Sequence, residues 1–69
     1  MKKQGYIKFF KFDKCYGFIV PEEGGRDVML HIGVCQDCGY MPQHGGKVLY
    51  ETERTPTGLK ATWVGGVPD

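Results

Sequence analysis

The chain has 69 residues, the size of one domain, and its formal net charge is only +1, so there is no gross basic signature. No stretch is apolar for long enough to span a bilayer. Lys8 and Lys11 interrupt the start of the chain where a secretory signal needs an unbroken apolar run, and a cytosolic protein with no membrane partner is expected. With 3 cysteines, an odd count in a reducing compartment, free thiols are expected rather than a disulfide framework.

The charge is unevenly spread. Residues 1–20 hold five lysines and one aspartate, whereas residues 21–69 hold four basic side chains against seven carboxylates. Positive charge gathered on one part of a nearly neutral chain points to an anionic partner.

The 11 glycines, 4 prolines and short β-branched or aromatic runs, with no stretch of helical periodicity, indicate a small all-β fold. Residues 5–12 read as a first strand, with Ile7 and Phe9 on one side and Lys8 and Phe10 on the other. Residues 12–15 supply a turn, and residues 16–20 return antiparallel until Pro21, which cannot donate to a ladder. Residues 22–26 are a turn by composition. Residues 27–32 alternate as a third strand, with Val28 and Leu30 on one side and Met29 and His31 on the other. Matching sides puts Ile7, Ile19, Val28 and Leu30 in the core. The opposite face then collects Lys8, Phe10, Tyr16, Phe18, Met29 and His31, an apolar and basic mixture that marks a contact site.

Residues 33–46 show little regular pattern and are expected to be a long, functional loop. Residues 47–53 form a fourth strand, with Val48, Tyr50 and Thr52 inward. After a turn at 54–58, residues 59–64 form the fifth, and residues 65–69 read as a loose tail to a domain spanning 1–64. Five short strands suit a partly open antiparallel barrel of the oligonucleotide/oligosaccharide-binding (OB) type, whose second and third strands commonly carry the ligand face.

Several motifs in order resemble the cold-shock domain family. Gly5-Tyr6-Ile7-Lys8-Phe9-Phe10 resembles its opening Gly-x-Val-Lys-Trp-Phe, and Lys14-Cys15-Tyr16-Gly17-Phe18-Ile19 resembles its first ribonucleoprotein motif, Lys-Gly-Phe-Gly-Phe-Ile. Val28-Met29-Leu30-His31-Ile32 resembles the second, Val-Phe-Val-His-Phe. Gly24-Gly25-Arg26-Asp27, Gly39-Tyr40 and Gly58-Leu59-Lys60-Ala61 also fit. The resemblance implies binding of single-stranded RNA or DNA, bases stacked on the sheet, by a non-enzymatic protein without a cofactor. Position by position, it implies binding roles for Lys8, Phe9, Phe10, Lys14, Tyr16, Phe18, Met29, His31, Ile32 and Tyr40. Lys11 stands where the family usually has Asn and adds a further phosphate contact. Met29 and Ile32 stand where the family has phenylalanines, and neither offers a π-face. Cys15 stands where the family has a turn glycine, and Trp63 has no family role to transfer.

Cys35-Gln36-Asp37-Cys38 has the spacing of half a zinc site, with His31 and His44 in reach, or of a redox pair. The reading preferred is that Cys35 packs as a small hydrophobe and Cys38 is a loop thiol. No nucleophile with an adjacent base can be assembled. The competing function is a protein-interaction module, favoured by the apolar Met29, Ile32, Leu49 and Trp63. A monomer is expected, with a homodimer as the alternative.

Overall fold

The computed structural model describes residues 2–67, with β1 (Lys3–Lys11), β2 (Tyr16–Pro21), β3 (Val28–His31), α1 (Ile32–Cys38), β4 (Lys47–Thr55) and β5 (Gly58–Gly66). The strands close into a barrel in the order β1-β2-β3-β5-β4, with β1 also paired to β4. Four seams are antiparallel and one, β3–β5, is parallel, aligning Val28 and Met29 with Leu59 and Lys60. The all-β OB-type barrel expected from the sequence is present, closed rather than partly open. Backbone bonds from Gly45 to Ile7 (2.7 Å) and from Ile7 to Gly46 (2.9 Å) extend the β1–β4 seam past the start of β4.

Period-2 alternation sorts most side chains as expected. Ile7, Ile19, Val28 and Leu30 fill the interior with Val48, Tyr50, Ala61 and Val64. Each large aliphatic taken fully out of water contributes about 1.5–3 kcal/mol. Gly65 and Gly66, expected in the tail, pair with Leu49 and Val48 as the end of β5. Val67 follows the strand, and the last two residues of that tail, Pro68 and Asp69, lie outside the described residues, as does the first residue of the expected domain, Met1.

On β1 the alternation breaks. Ile7 pairs with Ile19 and Phe9 with Phe18, so Lys8 is an extra residue without a partner on β2. Such a bulge flips the parity of everything beyond it. Phe10, placed by simple alternation on the open face, is instead 4% exposed and belongs to the core. Phe9 takes the outward position.

Residues 32–38 are helical, where Ile32 was expected to end the third strand and the rest to begin a loop. His31 is the N-cap, its Nδ1 accepting from the Gly33 amide at 3.0 Å. Gly39, at φ 67°, ends the helix: its amide donates to the Gln36 carbonyl, and the Tyr40 amide to that of Cys35. This pair of bonds is a Schellman motif, which needs the left-handed residue that glycine supplies without a Cβ penalty. Cys35 is buried as part of the core, against which Ile32, Val34 and Cys38 also pack. Both cysteines of the pair therefore lie inside the helix, and Cys38 is half-buried rather than a loop thiol. Burial pushes the Cys35 thiol up, and the neighbouring Cys38 adds to the shift. A thiol raised in this way stays protonated and unreactive at neutral pH.

The turn between β1 and β2 carries a cost. Cys15 is the single non-glycine residue with positive φ among the described residues, at 65°. Left-handed backbone costs an L-residue about 1–2 kcal/mol, whereas glycine adopts it freely. Cys15→Gly is therefore expected to stabilise the protein by about 1 kcal/mol after the extra unfolded-state entropy of glycine is counted, read as a higher urea midpoint with an unchanged slope.

Candidate nucleic-acid interface

Strand register builds the open face as two rows. In one, Phe9 on β1 lies opposite Phe18 on β2, and Phe18 opposite Met29 on β3, which aligns in turn with Lys60 on β5. In the other, Lys11, Tyr16 and His31 run across the same three strands. Phe18 sits among the rings: its centroid is 5.5 Å from Phe9 with planes at 60°, and 5.9 Å from Tyr16 with planes at 88°. These are edge-to-face contacts, in which each ring steadies the next. The three rings are half-buried, while Met29 is 37% exposed and His31 is exposed.

The lysines frame this surface. Lys11 Nζ lies 5.6 Å from the Phe9 centroid, within cation–π range. Lys14 is exposed in the β1–β2 turn, where its amide donates to the Lys11 carbonyl at 3.1 Å. Lys8, on the bulge, reaches Asp27 Oδ2 at 3.3 Å. Both partners are substantially exposed, so the pair is worth little and opens readily.

The residues named from the sequence are thus not all brought together. Lys8, Phe9, Lys11, Lys14, Tyr16, Phe18, Met29 and His31 lie on or beside one face. Phe10 does not, because the bulge turned it inward. Ile32 begins α1 with its amide on the Cys15 carbonyl at 2.9 Å, and its side chain packs half-buried against the core. Tyr40 follows the Gly39 cap and lines a separate groove with Ile32. Burial, and then Cys35, push the Tyr40 phenol up, so it remains a neutral hydrogen-bonding ring at ordinary pH.

Two residues on the surface were not singled out from the sequence. Lys60 completes the Phe9–Phe18–Met29 row; the parallel seam that places it there has no local sequence signal. Phe12, in the β1–β2 turn, is 55% exposed, with its ring 4.9 Å from that of Phe10. A large aromatic in an otherwise polar turn was the available sign.

Other candidates resolve into structure. Among the described residues, no group of three or more His, Cys, Asp or Glu side chains gathers to hold a metal. His31 caps α1, and His44 Nε2 lies 3.4 Å from the backbone nitrogen and oxygen of Phe10. Trp63 lies over Gly65, where a Cβ would come within 2.6 Å of its ring, and Lys2 Nζ sits 4.3 Å from the ring centroid. The indole is engaged within the molecule. Among the described residues, no helix is long and apolar enough to cross a membrane.

A small closed OB-type barrel carrying aromatic rings on β1 and β2, framed by lysines, defines a class of oligonucleotide-binding folds. The 'Cold-shock' DNA-binding domain family model matches residues 3–67. The chain is 39% identical over 62 residues to the "Probable cold shock protein A" of Mycolicibacterium smegmatis, covering 88% of this chain and 92% of that protein. It is 40% identical over 58 residues to the "Major cold shock protein" of Micrococcus luteus, covering 83% and 87%. Against the "Cold shock-like protein CspA" of Stigmatella aurantiaca the identity is 38% over 65 residues, covering 93% and 96%. The chain belongs to the cold-shock domain family.

Proposed function

We propose that this protein binds single-stranded RNA or DNA with little base preference, stacking unpaired bases on Phe9, Tyr16 and Phe18 while lysines hold the phosphates, and that it serves as an RNA chaperone. The observation that carries the reading is the three-ring set on the open face. Its centroid spacings of 5.5 and 5.9 Å exceed the roughly 3.4 Å rise of a duplex strand. Bases on neighbouring rings must therefore be unstacked from each other, which suits an opened single strand. Each base on a ring contributes about 1–3 kcal/mol whatever its identity, so a net charge of +1 is no obstacle. Binding the open form alone shifts the pairing equilibrium of an RNA by mass action, with no need for nucleotide hydrolysis.

Titration of a dye-labelled oligothymidine tests this; Trp63 is a poor reporter, being engaged by Lys2 and Gly65. Wild-type binding at low salt is expected, and no binding would instead favour the protein-interaction reading. If Lys8, Lys11 and Lys14 each neutralise one phosphate, log K falls with log salt at about −0.7 per contact, a slope near −2 in total. The Asp27 carboxylate competes with phosphate for Lys8. Asp27→Asn is therefore expected to tighten binding at low salt by about two- to fivefold, the scale of an exposed ion pair, and the gain should fade as salt rises.

A further inference from the structure

Where β3 begins, the end of the barrel holds a pocket of about 240 Å³. α1 follows the opposite end of that strand. Val28 on β3 and Leu59 on β5, partners across the parallel seam, give the pocket an apolar wall. None of Phe9, Tyr16, Phe18 and Met29 lines it, so it stands apart from the ring face. Its volume lies below the roughly 300–1,000 Å³ of sites for drug-sized ligands, which leaves room for a single ring and one attached group.

Polar groups reach the pocket from positions where alternation elsewhere buries apolar ones. On β1 the buried inward residues include Gly5 and Ile7, and the same parity continued to the start of the strand gives Lys3. Lys3 is the register partner of Tyr50 on β4, so both side chains leave the sheet on its inner side. Arg26, shortly before β3, adds a second cation, against Glu23 as the one carboxylate among the lining residues. Neither Lys3 nor Arg26 is held in an ion pair among the described residues.

Tyr50 is 1% exposed, yet its phenol joins none of the side-chain hydrogen bonds among the described residues. No buried polar side-chain atom among those residues is both sealed from solvent and without a partner. The phenol oxygen is therefore the part of Tyr50 that opens onto the pocket it lines. Burial, and then Glu23, push this phenol up, so it stays protonated and able to donate at ordinary pH. A buried hydroxyl normally has a partner; this one is left for a ligand.

We propose that this pocket binds a small organic anion, a single ring seated against Val28 and Leu59 with its phosphate or carboxylate held by Lys3, Arg26 and the Tyr50 phenol. Two unpaired cations against one carboxylate set the sign of the ligand, and a phenol donating to an anion makes a charge-assisted bond. The apolar wall sets its body. The inference does not depend on the ring face, and its failure would leave the single-strand reading untouched.

The test titrates the labelled protein with phenyl phosphate and follows the amide signals, with inorganic phosphate and benzylamine as comparison probes. The signals of Lys3, Arg26, Val28, Tyr50 and Thr52 are expected to move together and saturate. Tyr50→Phe, which keeps the volume of the core residue, should weaken the saturating shifts about tenfold, the scale of a hydrogen bond to a charged group. Lys3→Gln and Arg26→Gln alter exposed side chains, so they keep the fold and carry the test independently, each weakening binding about two- to fivefold. Glu23→Gln should tighten it by a similar factor. Unmoved pocket signals overturn the proposal, as does a Tyr50→Phe protein that binds like wild type. Benzylamine binding as tightly as phenyl phosphate overturns the sign of the ligand, and inorganic phosphate binding as tightly overturns the ring.

Discussion

Phe18→Ala is expected to weaken oligothymidine binding about 10- to 100-fold while leaving the barrel folded. Phe18 touches both Phe9 and Tyr16 at edge-to-face distances, so its loss removes one stacking platform and unsteadies two more. One stack alone is worth about 1–3 kcal/mol, or about five- to 150-fold in affinity. The side chain is half-buried on the outer surface rather than in the core, which separates the binding loss from the stability loss. Thermal unfolding alongside the titration checks this. Tyr16→Ala, which removes a ring in contact with Phe18 alone among the face aromatics, should cost less than Phe18→Ala. Equal affinity in wild type and Phe18→Ala would remove stacking from the account.

Gly17→Ala is expected to have the largest effect on stability. Gly17 pairs with Phe10 across the β1–β2 seam. A Cβ there would collide with the Phe9 carbonyl oxygen, lie 2.6 Å from the Phe10 ring and 2.8 Å from the Phe10 Cα. Two of those neighbours are backbone, so relief requires β1 to move away from β2. Overpacking of a tight site usually costs about 1–3 kcal/mol and sometimes more, and displaced backbone puts this case at about 3 kcal/mol or above. Total stabilities are commonly about 5–15 kcal/mol, and a domain of 69 residues sits toward the lower end. The variant should therefore show a much lower urea midpoint and reduced oligomer binding, because the same displacement moves Phe9 away from Phe18. A near-normal midpoint would mean that the β1–β2 spacing is softer than the register implies.

Most of the barrel was legible because its strands obey a simple rule. Ile19, Val28, Leu30, Val48 and Tyr50 alternate with outward residues and are all buried, so parity located the core on β2, β3 and β4. On β1 parity failed at one residue. The bulge at Lys8 exchanges the expected sides of Phe9 and Phe10, and both neighbours being phenylalanine left nothing in composition to announce it. The family resemblance named both residues, and strand geometry separates them: Phe9 on the face, Phe10 beneath it.

The helix was missed for a different reason. Seven residues make barely two turns, too few for an apolar period to show, and the cap is His31 rather than the Ser, Thr, Asp or Asn that usually marks a helix start. Gly39 was a usable stop signal. Consequently His31 has a second duty: its ring positions the Gly33 amide through Nδ1 while facing the surface next to Tyr16. Lys60 was out of reach for sequence reasoning because a parallel pairing between β3 and β5 brings together residues far apart in the chain.

The bulge, the Gly17 close approach and the αL turn at Cys15 all lie within the β1–β2 hairpin, and together they aim the rings. The bulge turns Phe9 outward, Gly17 lets the Phe10 backbone pass close, and the turn delivers Tyr16 opposite Lys11. The departures from the family pattern fall around this hairpin and on β3. They leave three rings in place, while Met29 on the face offers no π-face and Ile32 packs half-buried against the core.

The most direct measurement is chemical-shift mapping of the labelled protein during titration with a short oligopyrimidine. The expected result is that the signals of Phe9, Tyr16, Phe18, Met29 and His31 move together and saturate, with upfield ring-current shifts on the aromatic side chains, while those of Lys2, Leu49 and Trp63 stay in place. Saturable shifts confined to Lys2, Leu49 and Trp63, with the three rings unmoved, would contradict it.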